Sequence, residues 1–237
     1  MLCNNLPTRA AFLAFAAFTA PAWGQTIYST DFSDLAGWTT SSSFAGFDWQ
    51  SDATPAAGSC SAPPFRSAPA SLNFNDGTTF GPVTQGISGS VTSPVLILDP
   101  ARPTARATFW FSLDHEIGCS FDSTWIEILD AGTGAMLDRR CLQSAVETYD
   151  CSWKQARVPL DPAWGSIQLQ FSCYAVDQNN NSGRGPFIDD LVVDYDCGTD
   201  SEFVCSGAPS SAYSWMLGNP GGSRLEADGS PSINAGV

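Results

Sequence analysis

Apolar and polar residues in this chain alternate with a period of two, in short runs broken by turn residues. In Ala105 to Leu113, Ala107, Phe109 and Phe111 fall on one face and Thr108, Trp110 and Ser112 on the other. In Ile167 to Cys173, Ile167, Leu169 and Phe171 point inward while Gln168 and Gln170 point outward. Thr124 to Leu129 places Ile126 and Ile128 on its core side and Trp125 and Glu127 opposite, and Asp130-Ala-Gly-Thr-Gly134 closes it. Gln25 to Phe32, Phe47 to Gln50, Ser71 to Phe74, Ile87 to Leu98 and Trp153 to Leu160 have strand composition. Asn75-Asp-Gly77 and Asp99-Pro100 are turn signals. No run shows the period of a convincing helix. Roughly ten short strands with turns between them predict an all-β fold, an antiparallel two-sheet jelly-roll sandwich.

Gly185 to Cys197 carries two adjacent acids inside a strand-like run. Strict alternation puts Phe187, Asp189, Leu191, Val193 and Tyr195 on one face and Asp190, Asp194 and Asp196 on the other. A carboxylate on an apolar face is costly unless it is paired, hydrogen-bonded or bound to a cation. Asp189 is therefore a candidate ligand of a structural ion. The competing reading has it accepting backbone amides or pairing with an arginine such as Arg184.

The ends differ from the middle. Residues 1–24 have Arg9, a short Ala/Phe/Leu core and Ala22-Trp-Gly24, the order expected of a cleaved signal peptide. Residues 25–197 form the expected domain. Residues 198–237 are a short Gly/Ser-rich C-terminal segment, read as a linker or an incomplete small module. No later run reaches the roughly 18 apolar residues of a membrane span. The formal charge is −14, one unit more negative once Arg9 is gone, and Lys154 is the only lysine. That balance argues against nucleic acid and anionic membranes as partners and is compatible with divalent cations.

Cys60, Cys119, Cys141, Cys151, Cys173, Cys197 and Cys205 follow the leader. In an exported chain they are most simply disulfides, and they lack the paired spacing of a zinc site. Cys141 and Cys151 bracket a short polar loop, and Cys119 and Cys173 each follow an apolar strand, so these are the two candidate pairs. The odd count leaves one cysteine over.

The order of several segments resembles the MAM domain family. Phe32 to Trp38 with Phe47-Asp-Trp49 resembles its start, and Ala107-Thr-Phe-Trp-Phe111 its aromatic strand. Trp125 to Leu129, Trp153 to Leu160 and Ile167 to Phe171 resemble the strands that follow. Phe187-Ile-Asp-Asp-Leu191 before Cys197 resembles its closing strand and terminal cysteine. The resemblance spans about residues 26 to 197. It implies a jelly roll used in recognition or adhesion, with a calcium site built from Asp31, Asp189 and Asp190, and from Asn73 and Asp76 besides. Calcium takes six to eight oxygens, which such residues supply. No cysteine sits in Leu35-Ala-Gly-Trp38, and the loop at 51–70 is unusual, so the family's disulfide pattern does not transfer.

Catalytic signals are sparse. His115 is the only histidine, whereas a helical zinc-protease motif needs two, and a lone one is most simply a polar loop residue. Glu116, Asp122, Glu127 and Asp130 are the acids from which a glycosidase pair would be drawn. Trp38, Trp49, Trp125, Trp153 and Trp164 offer rings for packing or sugar stacking; Trp49 and Trp125 are the ligand-contact candidates. Asn180-Asn-Ser182 is a glycosylation sequon within a polar loop. The expected function is a secreted, non-catalytic recognition or adhesion module for an extracellular glycan or protein, stabilised by calcium and disulfides. The alternatives are an extracellular hydrolase on the same fold and a passive structural module of a larger surface protein.

Overall fold

The computed structural model describes residues 25–53, 65–77, 80, 86–115, 118–120, 122–145, 151–175 and 183–195, and the strands at 215–217, 224–225 and 231–232. The leader, Cys60, Glu116, the sequon, Cys197 and Cys205 lie outside the described residues.

The strands are β1 (Gln25–Thr30), β2 (Thr39–Ser42), β3 (Asp48–Asp52), β4 (Ser71–Asn75) and β5 (Ile87–Thr92). They continue as β6 (Leu96–Ile97), β7 (Ala105–Asp114), β8 (Ser123–Asp130), β9 (Met136–Cys141) and β10 (Lys154–Leu160). Then come β11 (Ser166–Ala175), β12 (Gly185–Tyr195), β13 (Trp215–Leu217), β14 (Arg224–Leu225) and β15 (Pro231–Ser232). Among the described residues every strand pairing is antiparallel, and the strands make two sheets. One runs β15-β14-β13-β10-β7-β12-β4-β3 with β1 also on β12; the other runs β2-β5-β11-β8-β9 with β6 on β11. This is the expected all-β sandwich.

The inner faces follow the alternation. Ala107, Phe109 and Phe111 on β7 meet Ile126 and Ile128 on β8 and Ile167, Leu169 and Phe171 on β11 in one buried core. Phe171 is the hub of its aromatic centre, with Phe109, Phe32, Trp38 and Trp49 rings around it. Trp38 closes the turn after β1 by donating its indole N–H to the Tyr28 hydroxyl at 2.8 Å.

Strict alternation fails in β12. Asp189 pairs with Trp110 and Val192 with Thr108, so two residues of β12 stand opposite one of β7. Asp190 occupies the left-handed region at φ 51°. This β-bulge flips the strand's parity. Ile188 joins the core before it; Leu191, Val193 and Tyr195 join after it. Phe187 and Asp189 therefore face the outside of the nine-stranded sheet, against the expectation that they share the apolar face with Leu191.

Within residues 25–195, two strands had no signal. β2 is Thr-Thr-Ser-Ser and offers no apolar residue, yet it pairs with β5 from Thr39↔Thr92 to Ser42↔Gly89. β9 contains Asp138, Arg139 and Arg140 and pairs along β8.

Candidate functional site

The outer face of the six-stranded sheet is built by register. One row across it is Thr39, Thr92, Gln170, Glu127 and Arg139. The next, two residues along each strand, is Ser41, Ser90, Ser172, Trp125 and Cys141. Ser88, Tyr174 and Ser123 begin a third. The inward partners of these residues fill the core, so the pleat presents hydroxyls, amides and rings outward.

Charge on this face is concentrated in one network. Arg139 Nε lies 2.9 Å from Glu127 Oε1, a charge contact rather than an aligned hydrogen bond, and Glu127 is almost fully buried. Gln170 donates its amide to Glu127 Oε2 at 2.6 Å and accepts the Thr92 hydroxyl at 2.9 Å. The Arg139 guanidinium sits 3.8 Å from the Trp125 ring centre and 5.7 Å from that of Tyr174. Such stacking of a cation on ring faces orders both partners. Trp125 is half-buried and donates its indole N–H to Ser123 Oγ at 2.9 Å; Tyr174 is 39% exposed. Ser172 is 2% exposed, and its buried hydroxyl has no hydrogen-bond partner.

The other expected site residues are dispersed. Trp49 is 2% exposed and packs on Phe74 and Phe171, because its position on β3 points inward, so it is a core residue rather than a ligand contact. Asp189 is fully buried, and its Oδ2 accepts the amides of Arg66 at 2.7 Å and Ser67 at 2.9 Å. Its Oδ1 accepts the Asp190 amide at 2.7 Å. Burial raises its pKa from the usual carboxylate value, against the lowering effect of those amides. Asp190 is half-buried and accepts the Ser67 hydroxyl at 2.6 Å. Asp31 is exposed just past β1, and its pKa is lowered mainly by the Ser33 amide. Asp76 is half-buried in the turn after β4. Asn73 is buried and donates to the Arg184 and Pro186 carbonyls. Among the described residues no three acids, histidines or cysteines gather at one point. Arg184 pairs with the buried Asp114 at 3.1 Å, not with Asp189.

His115 lies in the bend just past β7, as expected of a loop residue, but it is buried there, stacked 4.8 Å from the Phe80 ring and 3.0 Å from Thr124 Oγ1. Of the described acids considered for hydrolysis, Glu127 belongs to the outer face, while Asp122 is buried and Asp130 caps its turn through Thr133 and Gly132.

Both disulfide expectations are corrected. Cys119 bonds Cys141, with Cα atoms 6.1 Å apart. Cys173 is free and buried, because it lies on the inward side of β11 beside Phe171. Cys151 is disulfide-bonded, so its partner is not Cys141.

No protein-family model and no curated protein matches this chain. Among solved structures, it is similar to the K1 cleaved adhesin domain of Lys-gingipain from Porphyromonas gingivalis W83. The two share 16% identity over 72% of this chain and 98% of that one, with a TM-score of 0.45. The K3 cleaved adhesin domain of the same protein gives 15% identity, 73% and 99% coverage and a TM-score of 0.42. A family 11 carbohydrate-binding module from Clostridium thermocellum, in complex with a β-1,3-1,4-mixed-linked tetrasaccharide, gives 13%, 73% and 96%, and 0.41. With TM-scores below 0.5 these likenesses add no weight, and the sandwich rests on the chain's own strand pairing.

Proposed function

We propose that this protein is a secreted, non-catalytic module that recognises glycan through the open face of its six-stranded sheet. One observation carries the reading: the Arg139 guanidinium lies 3.8 Å from the Trp125 ring centre and 5.7 Å from that of Tyr174, beside the Glu127–Gln170 pair, in a field of serine and threonine hydroxyls. A sugar ring offers an apolar face for aromatic contact and a rim of hydroxyls for planar carboxylate, amide and guanidinium partners. Few, fixed polar groups beside rings are the usual make-up of a small-molecule site. The module is taken as non-catalytic because glycoside hydrolysis needs two carboxylates facing across the bond, and Glu127 is already held by Arg139 and Gln170.

The Cys119–Cys141 disulfide and the leader-like first 24 residues support export. A MAM-like ancestry and a calcium ion at Asp31 and Asp190 belong to the same proposal. β1 ends with Thr30 opposite Leu191, which leaves both acids at that end of the pair. The test is a glycan-array screen followed by titration calorimetry on the strongest hit. Trp125→Ala should lose most of the binding while melting within a few degrees of the parent. Undiminished binding by that variant would move the site away from this face.

A further inference from the structure

We propose that the ligand of this face is an uncharged, unbranched polysaccharide, gripped along an internal stretch and lying across the strands. This rests on the assignment of the face to sugar recognition.

The first ground is shape. The two rows are continuous from β2 to β9, the two edges of the sheet. Four strand spacings of about 4.8 Å make the strip about 19 Å long, and its rows lie about 7 Å apart. Thr39 and Ser41 are exposed at the β2 end. A polymer can therefore run past that edge, which suits the middle of a chain rather than its terminus. The narrow width suits an unbranched one.

Charge is the second ground. Glu127 and Arg139 neutralise one another, and the remaining residues of the two rows are Ser, Thr, Gln, Trp and a disulfide-bonded Cys141. The whole chain carries a formal charge of −14, which opposes the approach of a polyanion. A neutral, hydroxyl-covered ligand meets neither obstacle.

Ser172 supplies the third ground. Its hydroxyl is buried at the centre of the strip, between Trp125 and Ser90 in register, and has no partner. An unpaired buried hydroxyl is destabilising. Once the side chains over it shift aside, a ligand hydroxyl would give it a partner, since hydroxyls both donate and accept.

The experiment is native-gel affinity electrophoresis of the full chain in neutral polysaccharides (mixed-linkage β-glucan, galactomannan, xylan) and acidic ones (alginate, polygalacturonate), at low and high salt. The expected result is retardation by a neutral polysaccharide, unchanged by salt. Its oligosaccharides should compete and its monosaccharide should not. Trp125→Ala should weaken binding by about tenfold or more. Ser172→Ala should weaken it several-fold while leaving the melting temperature unchanged or higher, which a merely structural serine would not do. Retardation only by acidic polysaccharides, lost at high salt, would overturn the uncharged ligand and leave the face assignment standing. Equal competition by monosaccharide would overturn the internal grip. A folded protein retarded by nothing in either set would overturn the sugar reading itself.

Discussion

Asp189 is one of the carboxyls this fold buries, and its removal has a calculable consequence. Three amides, from Arg66, Ser67 and Asp190, donate to it at 2.7, 2.9 and 2.7 Å. Hydrogen bonds to a charged group contribute about 1.5–3 kcal/mol each. The gross sum is offset by the desolvation of a fully buried carboxylate and by water reaching the Arg66 and Ser67 amides once the acceptor is gone. We expect Asp189→Ala to cost about 3 kcal/mol, which for a domain of this size lowers Tm by about 6–12 °C. Asp189→Asn should cost less, about 1 kcal/mol, because it keeps one acceptor and sheds the desolvated charge.

The sign of the pH effect follows. Burial raises this carboxyl's folded pKa above its ordinary value, so the native state holds the proton more tightly than the unfolded chain. Its contribution to stability is therefore most favourable below the ordinary aspartate pKa, and declines as pH rises through the raised folded value. The Asn variant should lack that component. The assay is urea unfolding of parent and both variants, each in EDTA and in calcium. A cost below about 1 kcal/mol for Asp189→Ala would refute the amide clamp. A cost present in calcium and absent in EDTA would refute it too, and assign Asp189 to an ion instead.

Other consequences are open to direct measurement. Trp49→Ala should destabilise by about 3–5 kcal/mol, read by chemical denaturation, because it empties a buried site against Phe74 and Phe171. Cys119→Ser with Cys141→Ser should cost about 3 kcal/mol, since the bond closes a loop with a sequence separation of 22. Cys173 should resist thiol reagents in the native protein and react on unfolding, because burial pushes its thiol pKa up. Gly89→Ala should destabilise by about 1–3 kcal/mol in the same unfolding assay, since its Cβ would stand 2.2 Å from the Phe74 ring.

The sandwich was legible because most core strands alternate cleanly. Phe109 and Phe111, Ile126 and Ile128, and Leu169 and Phe171 announce their inward faces, and the structure puts all six in one core. β2 was illegible for a physical reason: the hydrophobic pattern detects burial, and no residue of Thr39–Ser42 is buried. β9 hides likewise, as an edge strand whose charges meet solvent and each other. The bulge at Asp189–Asp190 is a different kind of failure. A single residue in the left-handed region inverts every later side chain of the strand, and Asp190 differs in no visible way from its neighbour. The disulfide and the two polar rows were beyond reach because each depends on which strands become neighbours, a non-local fact.

The two outer faces of the sandwich contrast in a way that bears on function. Behind the nine-stranded sheet, Ser71, Asn73, Asn75, Ser112, Asp114 and Asp189 are all buried, and local chain segments satisfy many of their polar atoms. Ser112 donates to the Cys151 carbonyl, Asp114 takes Arg184, and Asp189 takes the Arg66–Ser67 amides. That face is sealed by the protein's own loops and serves stability. On the six-stranded sheet, Thr39, Ser41 and Tyr174 reach solvent, and Thr92, Gln170 and Glu127 hydrogen-bond one another. A fold that covers one polar face with loops and exposes the β2 edge of the other keeps the two faces distinct in character. On the proposed reading, a partner's hydroxyls do on the second face the work that the loops do on the first.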